Sequence, residues 1–343
     1  MDPAQRVLSL ALGYRGTALV GTAVRLGVPD LITPPGATPD GLARRTGTDP
    51  IRMRQFLDAL AAIGIVHSVP GGLYSLTEEG RLLTTSADNP LRHIARVAAE
   101  MSAPAATALA EGMSGASPFE KHFGTHLYNR LNERPDLASA YGHAIPAPGL
   151  FDAVATAYDF SGKRVIDLGG GLGDLLDRIL VKHTTARGTL VELEATLNAT
   201  PSPQGIERVG ADIRTWVPPG GDVYILCRVL ANWDDETAAK ILRNCQAALN
   251  EHGHLLIIEM VPLPGETEHA LGDLDLLLHF GGRLRPLAEW HDLFAAAGLP
   301  VPEATKLPAG WTILQSRSAA LASGEITGVP GRGSGTPLGE PHP

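Results

Sequence analysis

Along the first hundred residues, apolar positions recur at helical spacing. "RVLSLALGYRGTALVGTAVRLGVPDLI" (6–32) does so between glycine breaks. "ATPDGLARRTGTDPIRMRQFLDALAAIGIV" (37–66) predicts two helices on either side of "RTGTDP", with the acids Asp40 and Asp49 near their starts. In "HSVPGGLYSLTEEGRLLT" (67–84) the period changes, predicting two short strands about the turn Pro70-Gly71-Gly72. Helices followed by such a hairpin form a winged-helix pattern.

Residues 88–160 read as helical, with breaks at "MSAPAATA", "GMSGASPF" and "AIPAPG". From residue 164 the pattern alternates. "RVIDLG", "GTLVEL", "DVYILCRVL" and "HLLIIEMV" are strand-like apolar runs, and helical "DDETAAKILRNCQAALNEHG" lies between the last two. Such alternation predicts an α/β fold, a parallel sheet covered by helices. After Ser318 the chain is rich in Gly, Pro and Ser without periodicity, so a disordered tail is expected over 318–343. Four segments follow: 1–100, winged-helix-like; 101–155, a helical linker that contributes to a pocket; 156–317, the α/β unit; and the tail.

Composition narrows the classes of function. Hydrophobic residues make up 44% of the 343 and charged residues 19%, enough for a sizeable core. The net charge is −9, with Lys and Arg spread thinly, which argues against nucleic acid as a partner. Arg52 and Arg54 leave a DNA-binding winged-helix regulator as a minor alternative to a packing or dimerisation role. Two cysteines, no leader-like N-terminus and no apolar run approaching the ~20 residues of a membrane span predict a cytoplasmic protein without a membrane partner. No His/Cys/Asp cluster has metal-ligand spacing, so no metal site is expected.

The chemistry concentrates at "VIDLGGGLGD". A dinucleotide fingerprint needs a third glycine where Asp174 stands, and no Gly-Lys-Ser/Thr follows to make a Walker loop. A turn led by an acid, Asp167, suits a cofactor whose near end is cationic. S-adenosylmethionine (SAM) has a sulfonium and an amino group, and Gly169 and Gly171 allow it close approach to the backbone. Glu192, ending the strand in "GTLVEL" roughly 20 residues on, is placed to accept from both ribose hydroxyls. Asp212 in "GADI" is placed to accept from the adenine amino group.

Taken in order, "VIDLGGGLGD", "VGADI", "YILCRVLANWDDETAAKILRNCQAAL", "GHLLIIEMVPLP" and "DLDLLLHFGGRLRPLAEWHDLFAAAGL" resemble the class I small-molecule O-methyltransferases, both the plant caffeate type and bacterial antibiotic-pathway enzymes. The resemblance covers most of residues 10–317. It implies a Rossmann-like SAM-binding domain, an N-terminal winged-helix dimerisation domain and a homodimer acting on a small molecule. It places Asp167, Gly169 and Gly171 at the methionine end of SAM, Glu192 at the ribose, and Asp212 with Ile213 beside adenine. Trp233 falls on a family tryptophan near the cofactor, with a core role as the alternative.

The resemblance breaks at the catalytic groups. Where typical members carry His-Asp, "LANWDD" has Ala231 and Asn232, and the late-loop Glu is Leu284; only Glu259 remains. A methyl side chain accepts no proton. Two explanations stay open: methyl transfer by proximity, and a relative repurposed for hydroxylation, decarboxylation or pericyclic chemistry. Asn232, His279 and His143 are the other candidate polar groups at the acceptor. Cys227 reads as a buried strand cysteine, and His252 and His254 as solvent-facing turn residues. Pro201 and Pro203 interrupt a helix that relatives carry longer, predicting a more open adenine side.

Overall fold

The computed structural model describes residues 2–144, 149–199, 205–263 and 265–317. The expected disordered tail, and Pro201 and Pro203, lie outside the described residues.

The N-terminal helices start on well-formed caps. Thr38 caps the helix Pro39–Thr46 through Gly41 N–H, with Asp40 inside its first turn; Asp49 caps Pro50–Ala62 through Arg52 N–H. Proline follows each cap, where its missing N–H costs nothing. The hairpin follows as β1 (Val66–Val69) and β2 (Leu73–Leu76), antiparallel, with Val66 and Leu76 paired at its base. Leu42, Met53, Leu57, Leu60 and Tyr74 close a core beneath it.

The expectation that no stretch matches a membrane span needs correction. Pro3–Arg25, which joins the helices Pro3–Ala11 and Tyr14–Arg25 through the turn at Leu12–Gly13, is by length and composition apolar enough to cross a membrane. Gly13 and three arginines disguise this in the sequence, and only 17% of the window is buried within the chain.

The second unit is a seven-stranded sheet in the order β5-β4-β3-β6-β7-β9-β8. Its strands are β3 (Arg164–Leu168), β4 (Arg187–Glu192), β5 (Ile206–Gly210), β6 (Gly221–Cys227), β7 (Leu249–Met260), β8 (Glu303–Lys306) and β9 (Trp311–Arg317). β3 to β7 run parallel, as the alternating pattern predicts, whereas β9 lies antiparallel between β7 and β8. The central parallel strands β3, β6 and β7 carry continuous buried apolar runs because helices cover both faces. Tyr224, Ile225, Leu226 and Ile257 are fully buried, and each such side chain contributes about 1.5–3 kcal/mol by leaving water. β5 and β8 lie at the two edges, and neither has a buried residue in its span, so hydrophobicity alone does not reveal them. His252 and His254 lie not in a turn but on β7. His254 is half-buried and hydrogen-bonded to Tyr158.

Between these units, the helices Leu91–Val97, Pro118–Phe123, Leu127–Glu133 and Pro135–His143 build a further core around Met101, Phe119 and Leu127. Along Pro135–His143, Ala138, Tyr141 and Gly142 share one face, which turns toward the carboxyl ends of the parallel strands.

Candidate active site

At those strand ends lies a cavity of about 630 Å³. It is the expected place for a ligand in an open α/β sheet. Its wall brings together Asp167, Gly169, Gly171, Glu192, Asn232, Glu259 and His279, seven of the residues singled out from the sequence.

The glycine loop forms one end of the cavity. Gly169 and Gly171 have φ of +68° and +59°, the left-handed region that glycine enters freely. A Cβ on Gly170 would come within 2.4 Å of an Asp167 carboxylate oxygen. Gly171 N–H donates to Glu192 Oε2 at 3.1 Å, and Leu193 N–H to Oε1 at 2.7 Å, so the loop and the end of β4 hold each other.

Asp167 is fully buried, yet neither carboxylate oxygen has a partner among the described residues. Burial, and then the nearby Glu192, push its pKa up to about 7. An acid left in this state is incomplete without a ligand. The sulfonium and amino groups of SAM supply the missing positive charge and donors, so the residues fit that cofactor.

Another part of the wall is built around the turn that carries Ala231. Ala231 sits in the 3-10 turn Leu230–Asn232. Its N–H donates to Glu259 Oε1 at 3.2 Å, and burial raises Glu259 to about 7. Asn232 Nδ2 donates to the Tyr128 hydroxyl at 2.9 Å. His279 Nε2 and Ser102 Oγ lie 2.9 Å apart, and burial holds the imidazole below its ordinary pKa. Arg285, whose side chain is fully buried, fixes the turn by donating to Leu230 O, Trp233 O and Asp235 Oδ1 at 2.9, 2.6 and 2.8 Å. Leu284, in the position of the absent late-loop acid, lines the cavity as a hydrocarbon.

Four sequence expectations fall elsewhere. His143 points outward: Nδ1–H donates to Ser139 O at 2.7 Å and the ring stacks on His93 at 4.8 Å. It is off the Ala138–Tyr141–Gly142 face, so helical geometry keeps it out of the cavity. Asp212 is not a free acceptor. Arg214 grips both its oxygens, with Nη2 at 2.7 Å, and it borders a separate shallow hollow with Asn132, Leu193 and Gly210. Ile213 is buried in the sheet core. Trp233 packs between His126, stacked at 5.4 Å, and Arg214, 4.8 Å above its ring. Cys227, in contrast, lines the cavity, its thiol pushed up by burial and by Asp167. The sequence reading missed Tyr128, Ser102, Arg228 and Arg285.

Comparison with known proteins agrees with this arrangement. Residues 105–300 match the O-methyltransferase domain family and residues 8–86 the O-methyltransferase dimerisation domain. The chain is 33% identical to the phenazine O-methyltransferase PhzM of Lysobacter antibioticus, over 91% of this chain and 95% of that protein. It is 31% identical to the O-demethylpuromycin-O-methyltransferase of Streptomyces alboniger, over 86% and 83% of the two chains. A crystal structure of NcsB1, an O-methyltransferase from neocarzinostatin biosynthesis in complex with SAM and 2-hydroxy-5-methyl naphthoic acid, superposes with a TM-score of 0.77 at 27% identity, covering 89% of this chain and 96% of that one. With its glycine loop, unpartnered buried acid and matched dimerisation segment, the chain belongs to the O-methyltransferase family and is a SAM-dependent methyltransferase.

Proposed function

We propose that this enzyme methylates a hydroxyl of an aromatic or polyketide-like natural-product intermediate, as a cytoplasmic homodimer, chiefly by holding the acceptor in line with the methyl group. The observation that carries the reading is Asp167, a buried carboxylate without a partner beneath the glycine loop. Natural-product acceptors are favoured by the named activities of its relatives.

When bound, SAM supplies an electrophilic methyl group on positively charged sulfur. The chain's own groups do the rest. Asp167 and the Gly169–Gly171 backbone hold the cationic end, and Glu192 accepts from the ribose. The Asp212–Ile213 segment and Trp233 bound the adenine side. Tyr128, Asn232, His279 and Glu259 surround the acceptor with polar groups set among Ile94, Met260, Leu276 and Phe280. Fixing the reacting atoms is worth up to ~7–11 kcal/mol in favourable intramolecular cases, enough to offset the loss of a base at Ala231.

The dimer reading rests on the first helices. Val7, Leu8, Leu10 and Tyr14 are 66%, 58%, 73% and 63% exposed in the single chain, an apolar face suited to a second copy. Cys227 and Cys245 are unbridged, in keeping with a reducing compartment.

Incubation with methyl-labelled SAM and a panel of hydroxynaphthoates and hydroxyphenazines tests the reading. Label in product with equimolar S-adenosylhomocysteine supports it. Turnover without S-adenosylhomocysteine favours the repurposed chemistry, and no labelled product from any aryl hydroxyl overturns the assignment.

A further inference from the structure

We propose that Ser102 is a catalytic residue: its hydroxyl takes the proton of the acceptor hydroxyl and passes its own to His279, so that a two-residue relay replaces the base missing at Ala231. This rests on the function proposed above and says where its proton goes.

The geometry comes from two parts of the chain 177 residues apart. His279 lies in the last turn of the helix Ala270–Phe280. Ser102 ends the π-helical turn Ala98–Ser102, which continues the helix Leu91–Val97. Wide turns of this kind are rare and recur at functional sites. Both side chains line the cavity, and the Oγ–Nε2 separation of 2.9 Å is that of a hydrogen bond.

The chemistry requires a neutral imidazole whose Nε2 accepts from Ser102. The surroundings favour that form. His279 is 8% exposed, and desolvation disfavours the charged ring. The helix Pro118–Phe123 presents the Phe119 ring to it, 6.4 Å away and edge-on. Glu120 of that helix is turned back onto Ser117, and Glu100 of the π-helical turn is tied to Arg96. Leu230–Asn232 is uncharged. Asp275, one turn earlier on His279's own helix and also at the cavity wall, is among the described residues the one carboxylate acting on the ring, and it favours a transient imidazolium.

With Nε2 accepting its hydrogen, Ser102 Oγ presents a lone pair to the cavity. As the acceptor oxygen bonds to the methyl carbon, the carbon–sulfur electron pair stays on sulfur and the acceptor O–H bond breaks. That proton goes to Oγ, the serine proton goes to Nε2, and the imidazolium then releases one proton to water. No oxidant, reductant or further co-reactant is needed.

The test compares wild type, Ser102→Ala, Ser102→Thr and His279→Gln on whichever aryl hydroxyl of the panel above the wild type methylates. Ser102→Ala is expected to lower kcat on the order of 10²-fold, leave SAM affinity by calorimetry within about threefold, and remove the inflection that His279 gives kcat below pH 6.5. Ser102→Thr, which keeps the hydroxyl, restores both rate and inflection, and His279→Gln loses both. Independently of turnover, ring 15N shifts of His279 in the S-adenosylhomocysteine complex should move toward the protonated form when that acceptor is added to wild type, but not to Ser102→Ala. Wild-type kcat and pH profile in a folded Ser102→Ala, or in His279→Gln should Ser102→Ala not fold, overturn the relay while leaving the methyltransferase assignment standing. A panel with no methylated member overturns the assignment itself, and the relay with it.

Discussion

Asn232 donates its side-chain amide to the hydroxyl of Tyr128 across 2.9 Å, joining two positions 104 residues apart at the wall of the cavity. The bond turns the tyrosine hydroxyl into an acceptor on one side and leaves its own hydrogen to point at another partner. We expect Tyr128→Phe and Asn232→Ala each to lower kcat/KM for the acceptor about fivefold to tenfold, the worth of one hydrogen bond of ~1–1.5 kcal/mol. The double variant should be little worse than either single one. A double-mutant cycle checks this, and strict additivity would show that the pair does not act together.

Glu192 carries the ribose assignment. It already accepts from Gly171 and Leu193, so a ribose bond would add to those that hold the loop. Glu192→Ala should weaken SAM binding by ~10- to 100-fold, as for loss of hydrogen bonds to a charged group. Unchanged affinity in titration calorimetry defeats the assignment.

Asp167 makes the cofactor's affinity depend on pH. Its folded-state pKa, about 7, lies above its ordinary 3.8. In the ligand-free protein, the stability that comes from keeping it protonated is full below pH ~4 and is lost as pH rises to about 7. A cationic ligand favours the ionised form. SAM affinity should therefore rise from pH 6 to pH 8, with proton release on binding near pH 6. Calorimetry in buffers of different ionisation enthalpy measures this, and Asp167→Asn should abolish both effects. A pH-independent affinity in wild type refutes the ligand-facing role of Asp167.

Arg285 is a structural pin. Its removal strands the carbonyls of Leu230 and Trp233 inside the fold. Arg285→Met should cost about 2–4 kcal/mol of stability in urea unfolding. Asp235 contributes little to that figure because it is largely exposed. A loss below ~0.5 kcal/mol would mean the turn stands without it.

The exposed leucines of the first helices give a separate test. Leu8→Glu combined with Leu10→Glu should convert the dimer to monomer in sedimentation velocity, because burying two unpaired carboxylates in an apolar contact is costly. A dimer that survives both changes places the interface elsewhere.

Four strands of the sheet, β3, β4, β6 and β7, the helix between β6 and β7, and the glycine loop were legible because each writes a local pattern: an apolar run, a 3.6-residue period, an acid followed by glycines. β5 and β8 were not, since edge strands with no buried residue show no apolar run. Asp167 and Glu192 stood out because they are acids at the ends of buried strands. The acceptor wall did not. Tyr128 and Ser102 come from helices whose only mark in the sequence is their period, and tertiary packing alone sets which turn faces inward. His143 shows the converse: its neighbours Tyr141 and Gly142 line the cavity, and one residue's rotation about the helix carries it to the outside. The ion pair of Asp212 was hidden for a different reason, since its partner Arg214 is two residues away and reads as an ordinary surface charge.

The reversed direction of β9 has a practical consequence. Trp311 opens that strand beside Met260 at the cavity, while Arg317 closes it beside His254. Six steps of ~3.3 Å carry the backbone about 20 Å down the sheet. A fluorophore attached at position 317 therefore reports from beneath the reaction chamber rather than at its mouth. Paired with one at position 311, at the cavity end of the same strand, it offers a ruler along the sheet.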